Sequence, residues 1–152
     1  TGAAGNVVKA SQNYEVQEKS IEYFLGQTII KTRMIPKDVV QYRRNGEDAK
    51  HFFTKNGEKK LSDLMKSENP LDEIKKHRAT DVELIGITKE TGKGDTYQIR
   101  WKEKVYNEKE LESESTMVAF VSVKLSQPKT EEQIRSNPFG IYIDDISWSK
   151  ER

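Results

Sequence analysis

The fold class is decided by the clearest strand pattern in the chain, Tyr97-Gln98-Ile99-Arg100-Trp101-Lys102-Glu103-Lys104-Val105. Successive strand residues point to opposite faces of a sheet, so Tyr97, Ile99 and Trp101 share one face with Glu103 and Val105. A glutamine and three basic residues fall on the other face. This alternation predicts a sheet that is covered by helices on one side and exposed to water on the other.

Turns and further strand patterns flank this segment on both sides. Residues 82–87 alternate before it, and the turn Thr91-Gly92-Lys93-Gly94-Asp95 joins the two segments with glycines that tolerate positive φ. After it, the polar residues 107–115 are predicted to form a loop or a hairpin tip. Residues 116–126 then alternate as a third strand. Strands that follow one another through short turns indicate antiparallel pairing.

The last predicted strand runs from Gly140 to Ser149 and carries four large apolar residues, Ile141, Ile143, Ile146 and Trp148. The first two have one parity along the strand and the last two have the other. One extra residue at Asp144-Asp145 would place all four on the core face. The sequence therefore predicts a β-bulge at this point.

The chain before residue 78 shows helical spacing instead. Apolar residues recur three and four positions apart from Tyr14 to about Ile35, and Pro36 is expected to end this first helix. Asp38, followed three residues later by Gln41, resembles a capping box for a second helix that continues to about residue 53. A third helix is predicted around its apolar residues, Leu61, Leu64 and Met65.

Two short helices are expected next to turns. Asn69 is expected to cap the first of them by accepting a backbone N–H bond, with Pro70 at the first helical position. Thr130 and Gln133 form a second capping-box pattern, and the helix they start must stop before Pro138. Helices followed by hairpin-linked strands predict an α+β domain in which helices pack on a curved antiparallel sheet.

Composition limits the function classes. The 152 residues suit one domain, and 26 Lys plus Arg nearly balance 25 Asp plus Glu, which argues against a general nucleic-acid binder. No cysteine is present, so disulfides, thiolate zinc sites, iron–sulfur clusters and cysteine nucleophiles are excluded. The longest apolar run, Met117-Val118-Ala119-Phe120-Val121, is far shorter than the roughly 20 residues that span a bilayer.

The first residues of the chain carry neither an initiator methionine nor a leader. We therefore expect an excised fragment of a longer protein. Residues 1–13 are expected to be a flexible segment that follows an absent membrane anchor, and residues 14–152 to be a single domain.

Few patterns in the chain suit catalysis or metal binding. His51 and His77 have no metal-ligand spacing around them and are interpreted as surface or helix-end histidines. Gly92-Lys93-Gly94-Asp95 lacks the spacing of a phosphate-binding loop. Asp144 and Asp145 are adjacent carboxylates, but neighbours in a regular strand point to opposite faces, an objection that a bulge weakens. Because no histidine or tyrosine partner is identifiable, we predict no catalytic residue, no metal site and no cofactor.

Five aromatic residues also suit a stacking platform for single-stranded nucleic acid, Tyr97, Tyr106, Tyr142, Trp101 and Trp148. They alternate in phase with aliphatic residues, however. Core packing is therefore the favoured interpretation for most of them.

The chain ends on a recognisable motif, Asn137-Pro138-Phe139-Gly140-Ile141-Tyr142-Ile143, followed by residues 144–148. This motif resembles the Asn-Pro-Leu-Gly-aromatic strand ending of TrbF-like conjugal transfer proteins, which belong with the inner-membrane assembly component of type IV secretion systems. The resemblance extends to Trp101-Lys102-Glu103 and to the first helix at residues 21–25, with Arg33 after it. It covers most of the chain, from about Tyr14 to Glu151. Phe139 stands where leucine is commoner and keeps an apolar residue there.

This resemblance implies the nuclear-transport-factor-two-like fold, with helices in the concave face of a curved four-stranded sheet. It implies the periplasmic domain of a single-pass inner-membrane protein, preceded by a short cytoplasmic tail and one transmembrane helix. The implied role is assembly of a secretion or conjugation machine, through self-association and contacts with other type IV secretion subunits, without catalysis. Neither sequence-specific nucleic-acid binding nor a membrane contact beyond the anchor is expected.

Two groups of residues are candidate interaction sites. The first is the turn from helix into strand, Asn137, Pro138, Phe139 and Gly140. Proline fixes φ, glycine permits positive φ and asparagine bonds nearby backbone groups, so a rigid turn is expected, and the resemblance adds a partner surface near it. The second group is Tyr23 and Phe24, which do not both fit one core stripe and therefore favour a weak homodimer.

Two other function classes remain as alternatives. The same cone-shaped fold suits a small-molecule enzyme or a ligand-binding protein, because it can enclose an apolar pocket that carries acid–base residues. A single-strand nucleic-acid binder is disfavoured by the balanced charge.

Overall fold

The computed structural model describes the backbone of residues 3–152 and the side chains from Glu18 onward. Along this part the chain forms helices and strands in the order α1 (Ala3–Arg33), α2 (Val39–Lys50), α3 (Lys55–Lys66), α4 (Pro70–Lys75), β1 (Arg78–Lys89), β2 (Thr96–Asn107), β3 (Glu110–Leu125), α5 (Glu131–Ser136) and β4 (Ile141–Lys150).

The strands form one four-stranded sheet in the order β1-β2-β3-β4, and each neighbouring pair is antiparallel. The face predicted from the alternation in β2 is the core face, because Tyr97, Ile99 and Trp101 are fully buried. α1 contributes three buried residues to the same core, Ile21, Leu25 and Ile29. The predicted α+β architecture, with helices packed on one face of an antiparallel sheet, is confirmed.

α1 ends where the sequence predicts, since Arg33 is its last residue and Pro36 lies just beyond it. The helix begins at Ala3, well before the expected start near Tyr14. The flexible segment expected over residues 1–13 stays a prediction, because residues 1–2 and the side chains before Glu18 lie outside the described structure. Over the described residues, no helix combines the length and the apolar character that crossing a membrane requires.

Asp38 caps α2, but without the reciprocal bond of a capping box. Its carboxylate accepts a hydrogen bond from the backbone N–H of Val40 at 3.0 Å. The side chain of Gln41 instead donates to Asn45, one turn further along the helix, at 2.8 Å. The predicted start of α2 is therefore confirmed, while its capping box is wrong.

Asn69 does not cap α4 with its side chain, so that prediction is wrong. Its backbone is left-handed, with φ 45°, whereas a capping side chain reaches the free N–H groups from extended backbone. Pro70 nevertheless begins the helix, as predicted. At α5, Thr130 and Gln133 form both bonds of the predicted capping box.

Of the loop or hairpin tip predicted over residues 107–115, the structure forms the hairpin tip, but a shorter one, because β2 and β3 continue through most of the stretch. β2 ends at Asn107 and β3 starts at Glu110, which leaves a tight turn at Glu108, where φ is 57°. The polar residues of this stretch are exposed, yet their backbones pair with β2 as far as Glu110. Polarity here reflects a strand end that lies beyond the cover of the helices.

β4 contains the predicted bulge. Ile143 pairs with Val123 and Asp145 pairs with Ser122, so Asp144 is the extra residue between them. The insertion returns Ile146 and Trp148 to the core face that Ile141 and Ile143 already share. Ile141, Ile143 and Ile146 are buried there, and Trp148 is half-buried.

Candidate protein-interaction surface

The turn between α5 and β4 is held by the side chain of Asn137, which is buried. Its Nδ2 donates to the carbonyl oxygens of Ile141 at 2.7 Å and His51 at 3.0 Å, and its Oδ1 accepts from the backbone N–H of Ile141 at 3.2 Å. Because His51 lies at the end of α2, one amide group joins this helix to the turn.

Gly140 closes the turn with φ +62°. A Cβ atom at this position would lie 1.8 Å from the carbonyl oxygen of Ser126, so no larger residue fits without a backbone shift. The backbone N–H of Ser126 also donates to the carbonyl oxygen of Gly140 at 2.8 Å. Asn137 and Gly140 therefore make the turn rigid from two sides.

Pro138 and Phe139, by contrast, are exposed at the surface. Phe139 is 55% exposed, and its ring centroid lies 5.4 Å from that of Phe24 on α1. The ring of Phe24 also lies 5.3 Å from Phe52 and 5.9 Å from Tyr23, which is 59% exposed. The structure thus brings together the two groups of residues that the sequence singled out separately. We call this site the aromatic surface, made by Tyr23, Phe24, Phe52 and Phe139.

Phe52 is the member of the aromatic surface that the sequence analysis missed. Its carbonyl oxygen accepts a hydrogen bond from the backbone N–H of Ile143 at 2.7 Å, which fixes the chain after α2 against β4. The neighbouring Phe53 is buried in the core. Two adjacent phenylalanines at a helix end are the signal that was available, because only one of them can face the core.

The buried ion pair of Arg33 and Glu103 was also missed. Arg33 donates to both carboxylate oxygens of Glu103, at 2.7 and 2.9 Å, and Trp101 donates to the same carboxylate at 2.7 Å. The guanidinium also bonds Glu68 and lies 4.7 Å from the ring centre of Trp148. Burial alone would lower the pKa of Arg33, but the two carboxylates outweigh it and raise the pKa above its ordinary value. This cluster joins the end of α1 to the sheet.

The acidic pair in β4 does not form a catalytic dyad. Asp144 accepts a hydrogen bond from the hydroxyl of Thr54 at 2.7 Å, which with Lys124 at 3.4 Å lowers its pKa. Asp145 lies 3.8 Å from Lys60 and accepts a bond from the backbone that follows it. Each carboxylate is engaged with different neighbours, and each stabilises the bulge.

The remaining candidates for chemistry are explained by the fold. His51 and His77 are exposed, and among the residues described, no three acidic or histidine side chains form a group suited to a metal. Gly92 and Gly94 occupy the β1–β2 turn with φ of 77° and 61°, as a tight turn requires. Of the aromatic residues considered for stacking, Tyr97 lies fully buried in the core.

Several solved structures share this fold. Agrobacterium tumefaciens VirB8 matches with a TM-score of 0.70 at 19% identity, over 86% of this chain and 90% of that chain. The soluble domain of TrwG from the type IV secretion machinery of Bartonella grahamii matches with a TM-score of 0.68 at 14% identity, over 86% and 92%. A periplasmic fragment of TraM matches with a TM-score of 0.66 at 16% identity, over 85% and 94%. The fold is thus the nuclear-transport-factor-two-like fold of VirB8.

The VirB8 protein family matches residues 1–151, which is nearly the whole chain. The chain belongs to the VirB8 family and is therefore a component of type IV secretion systems. No curated protein sequence matches it significantly. The predicted kinship with type IV secretion proteins is confirmed, whereas the narrower TrbF-like assignment stays a prediction.

Proposed function

We propose that this domain is a non-catalytic structural component of a type IV secretion or conjugal DNA transfer machine. It acts by self-association through the aromatic surface and by contacts with other channel subunits. The observation that carries the proposal is the aromatic surface, because three separate parts of the chain contribute aromatic rings to one exposed site.

The geometry of the aromatic surface suits a weak and specific contact. Aromatic residues are enriched in protein interfaces, where a few of them supply most of the binding free energy. Tyr23 and Phe139 expose more than half of their surface. The backbone below Phe139 is already held by Asn137 and Gly140, so little conformational entropy is lost on association.

The proposed setting is the periplasm, with a single membrane anchor on the N-terminal side of the domain. A tether of this kind raises the local concentration of neighbouring copies, so even a weak contact becomes populated. The TraM fragment of the same fold is periplasmic, which supports the placement. An apolar segment of about 20 residues before Thr1 in the full-length gene product is the expected finding. Its absence would contradict the anchor.

The alternative of a small-molecule enzyme is less well supported. The acidic pair that could have served as an acid–base dyad is already engaged, because Asp144 binds Thr54 and Asp145 pairs with Lys60. Within the family, we propose the TrbF-like subtype, because the motif Asn137–Gly140 resembles that of TrbF-like proteins. Phe139 replaces the leucine that is commoner in this motif.

The experiment that tests the assembly role uses the full-length protein in its own host. A strain that lacks the gene is complemented with the unchanged protein, Phe139→Ala, Phe139→Leu or Phe120→Ala. Phe120 is the matched control, because it is 43% exposed and lies on the outer face of the sheet, away from the core.

We expect Phe139→Ala to lower transfer by about tenfold or more, as the loss of a central interface residue does. Phe139→Leu and Phe120→Ala should transfer at nearly the unchanged rate, with all proteins present at equal levels. Equal transfer by Phe139→Ala would contradict a functional role for the aromatic surface.

A further inference from the structure

A groove between α2 and α3 is a second exposed feature of the helical layer. Its volume is about 410 Å³, and the apolar side chains of Ala49, Leu61 and Met65 line it. Thr32, in the last turn of α1, also lines the groove, is only 7% exposed, and has a hydroxyl without a hydrogen-bond partner among the residues described. This oxygen lies below the surface, so the groove offers an occupant mainly its apolar wall.

The groove offers the guanidinium of Arg43 to an occupant. Lys31, Arg43 and Lys50 line it, against Glu58 as the single carboxylate. Lys31 and Lys50 already form ion pairs with carboxylates of α2, whereas Arg43 has no ion pair in the described part of the chain. The hydroxyl of Tyr42 also lines the groove and can donate a hydrogen bond to an occupant. The groove suits an apolar side chain that is flanked by acceptors and negative charge.

The tip of the β2–β3 hairpin, residues 108–114, has this chemistry. It carries four glutamates and one lysine, and Leu111 between the glutamates is 51% exposed. Glu112 accepts hydrogen bonds from Arg78 at 2.9 Å and from Asn107 at 3.1 Å, which hold the tip in place. A tip that is already ordered loses little entropy when it binds.

We propose that the hairpin tip of one copy docks in the α2–α3 groove of a second copy, with Leu111 entering between Leu61 and Met65 and Glu110 beside Arg43. The acidic tip complements the guanidinium of Arg43 at the groove. Within one copy, Leu111 lines a separate cavity beside Ile74, so tip and groove are distinct surfaces.

This contact goes beyond the proposed function and uses no residue of the aromatic surface. Where a pair of copies makes one such contact, one tip and one groove stay free. The contact can therefore extend from copy to copy and close into a ring.

Disulfide cross-linking tests the contact, since the chain has no cysteine of its own. One protein carries Ser113→Cys at the tip and another carries Ser62→Cys at the groove, and both serines are exposed. A disulfide requires two Cα atoms within about 7 Å, so its rate of formation on mixing reports docking. The control pair combines Ser113→Cys with Ser149→Cys, an exposed serine on β4.

We expect the tip–groove pair to cross-link at least about tenfold faster than the control pair. Arg43→Glu in the groove protein should remove this advantage, and Glu110→Arg in the tip protein should restore it, because the charges are then exchanged. Leu111→Ala should lower the rate without affecting folding, which circular dichroism checks.

Equal rates of disulfide formation in the two pairs would overturn the proposal. A tip–groove rate that neither Arg43→Glu nor Leu111→Ala changes would also overturn it. The same measurement with Phe139→Ala in both proteins separates this contact from the proposed function. An unchanged rate supports tip docking whether or not the aromatic surface acts in assembly. Loss of the cross-link would assign it to the aromatic surface and overturn the docking proposal.

Discussion

At the scale of single residues, Gly140 occupies a position in the turn where the backbone conformation disfavours any residue with a side chain. Its φ of +62° is unfavourable for any residue with a Cβ, and a branched side chain also meets the carbonyl of Ser126. We expect Gly140→Val to lower the free energy of unfolding by more than the roughly 1–3 kcal/mol of backbone strain alone. Gly92→Val is the control, because φ there is +77° but nothing lies within 4 Å. Urea unfolding of both variants measures the difference, and equal losses would show that Ser126 does not matter.

Phe139 and Phe53 provide a matched test of surface against core. Phe53 is buried, so Phe53→Ala should cost about 3–5 kcal/mol in the free energy of unfolding. Phe139→Ala should cost no more than about 1.5 kcal/mol, the scale of one aromatic pair, because Phe139 is more than half exposed and its ring packs at the surface against Phe24. Thermal and urea unfolding of the two variants decide this. A loss at Phe139 as large as that at Phe53 would make it a core residue.

The ion pair of Arg33 and Glu103 is expected to matter mainly when it is broken. Glu103→Leu leaves the buried guanidinium without its bidentate partner and should cost about 3–5 kcal/mol. Adding Arg33→Met removes the stranded charge and should recover most of that loss, because apolar replacements of buried pairs are often neutral. Trp101 lacks its acceptor in both variants, so that loss cancels from their difference in unfolding free energy. The difference then reports the guanidinium together with its bond to Glu68 and its contact with Trp148. A double variant no more stable than the single one would refute this account.

At the scale of the elements, the sequence predicted the structural features that depend on local residue patterns. Alternation located the core face of β2, and the change of parity in β4 located the bulge at Asp144. The hairpin tip predicted over residues 107–115 is too long, because exposed strand ends and loops have the same polar composition. The side-chain cap predicted at Asn69 is wrong because the sequence pattern does not specify the left-handed backbone that this residue adopts.

The bulge in β4 is linked to the start of α3 through Asp144 and Thr54. The hydrogen bond from Thr54 is the largest cause of the lowered pKa of Asp144, and Lys124 adds to it. Because the folded pKa lies below the ordinary value of 3.8, the ionised carboxylate stabilises the fold above that pH. This contribution is lost as the pH falls through the folded pKa.

Substitution of Thr54 should therefore raise the pKa of Asp144 toward its ordinary value. NMR titration of the side-chain carboxyl should show this rise in Thr54→Val, because the hydrogen bond from Thr54 is the largest single cause of the lowered pKa. An unchanged pKa in Thr54→Val would show that this hydrogen bond does not link bulge and helix.

At the scale of the whole molecule, the candidate site depends on contacts that no local pattern contains. Periodicity assigns Phe24 to a helix face and places Phe139 after a turn, but it gives no distance between them. The 5.4 Å separation of their rings arises only when α1 packs on the sheet and Asn137 joins the turn to the end of α2. The same holds for Arg33 and Glu103. The resemblance to conjugal transfer proteins supplied a function to expect, whereas the arrangement of the residues came from the fold.

The final prediction concerns self-association of the isolated domain. The aromatic surface is small and no tether holds the copies together in solution, so dimers should form only as the protein concentration approaches about millimolar. In sedimentation velocity, the mean sedimentation coefficient should increase with protein concentration. Tyr23→Ser and Phe139→Ala should reduce this increase, and Phe120→Ala should leave it unchanged. Because this contact is largely apolar, added salt should leave it nearly unaffected, whereas salt should weaken the charged tip–groove contact. A strict monomer at millimolar concentration, or a dimer indifferent to Phe139→Ala, would remove the aromatic surface as the site of association.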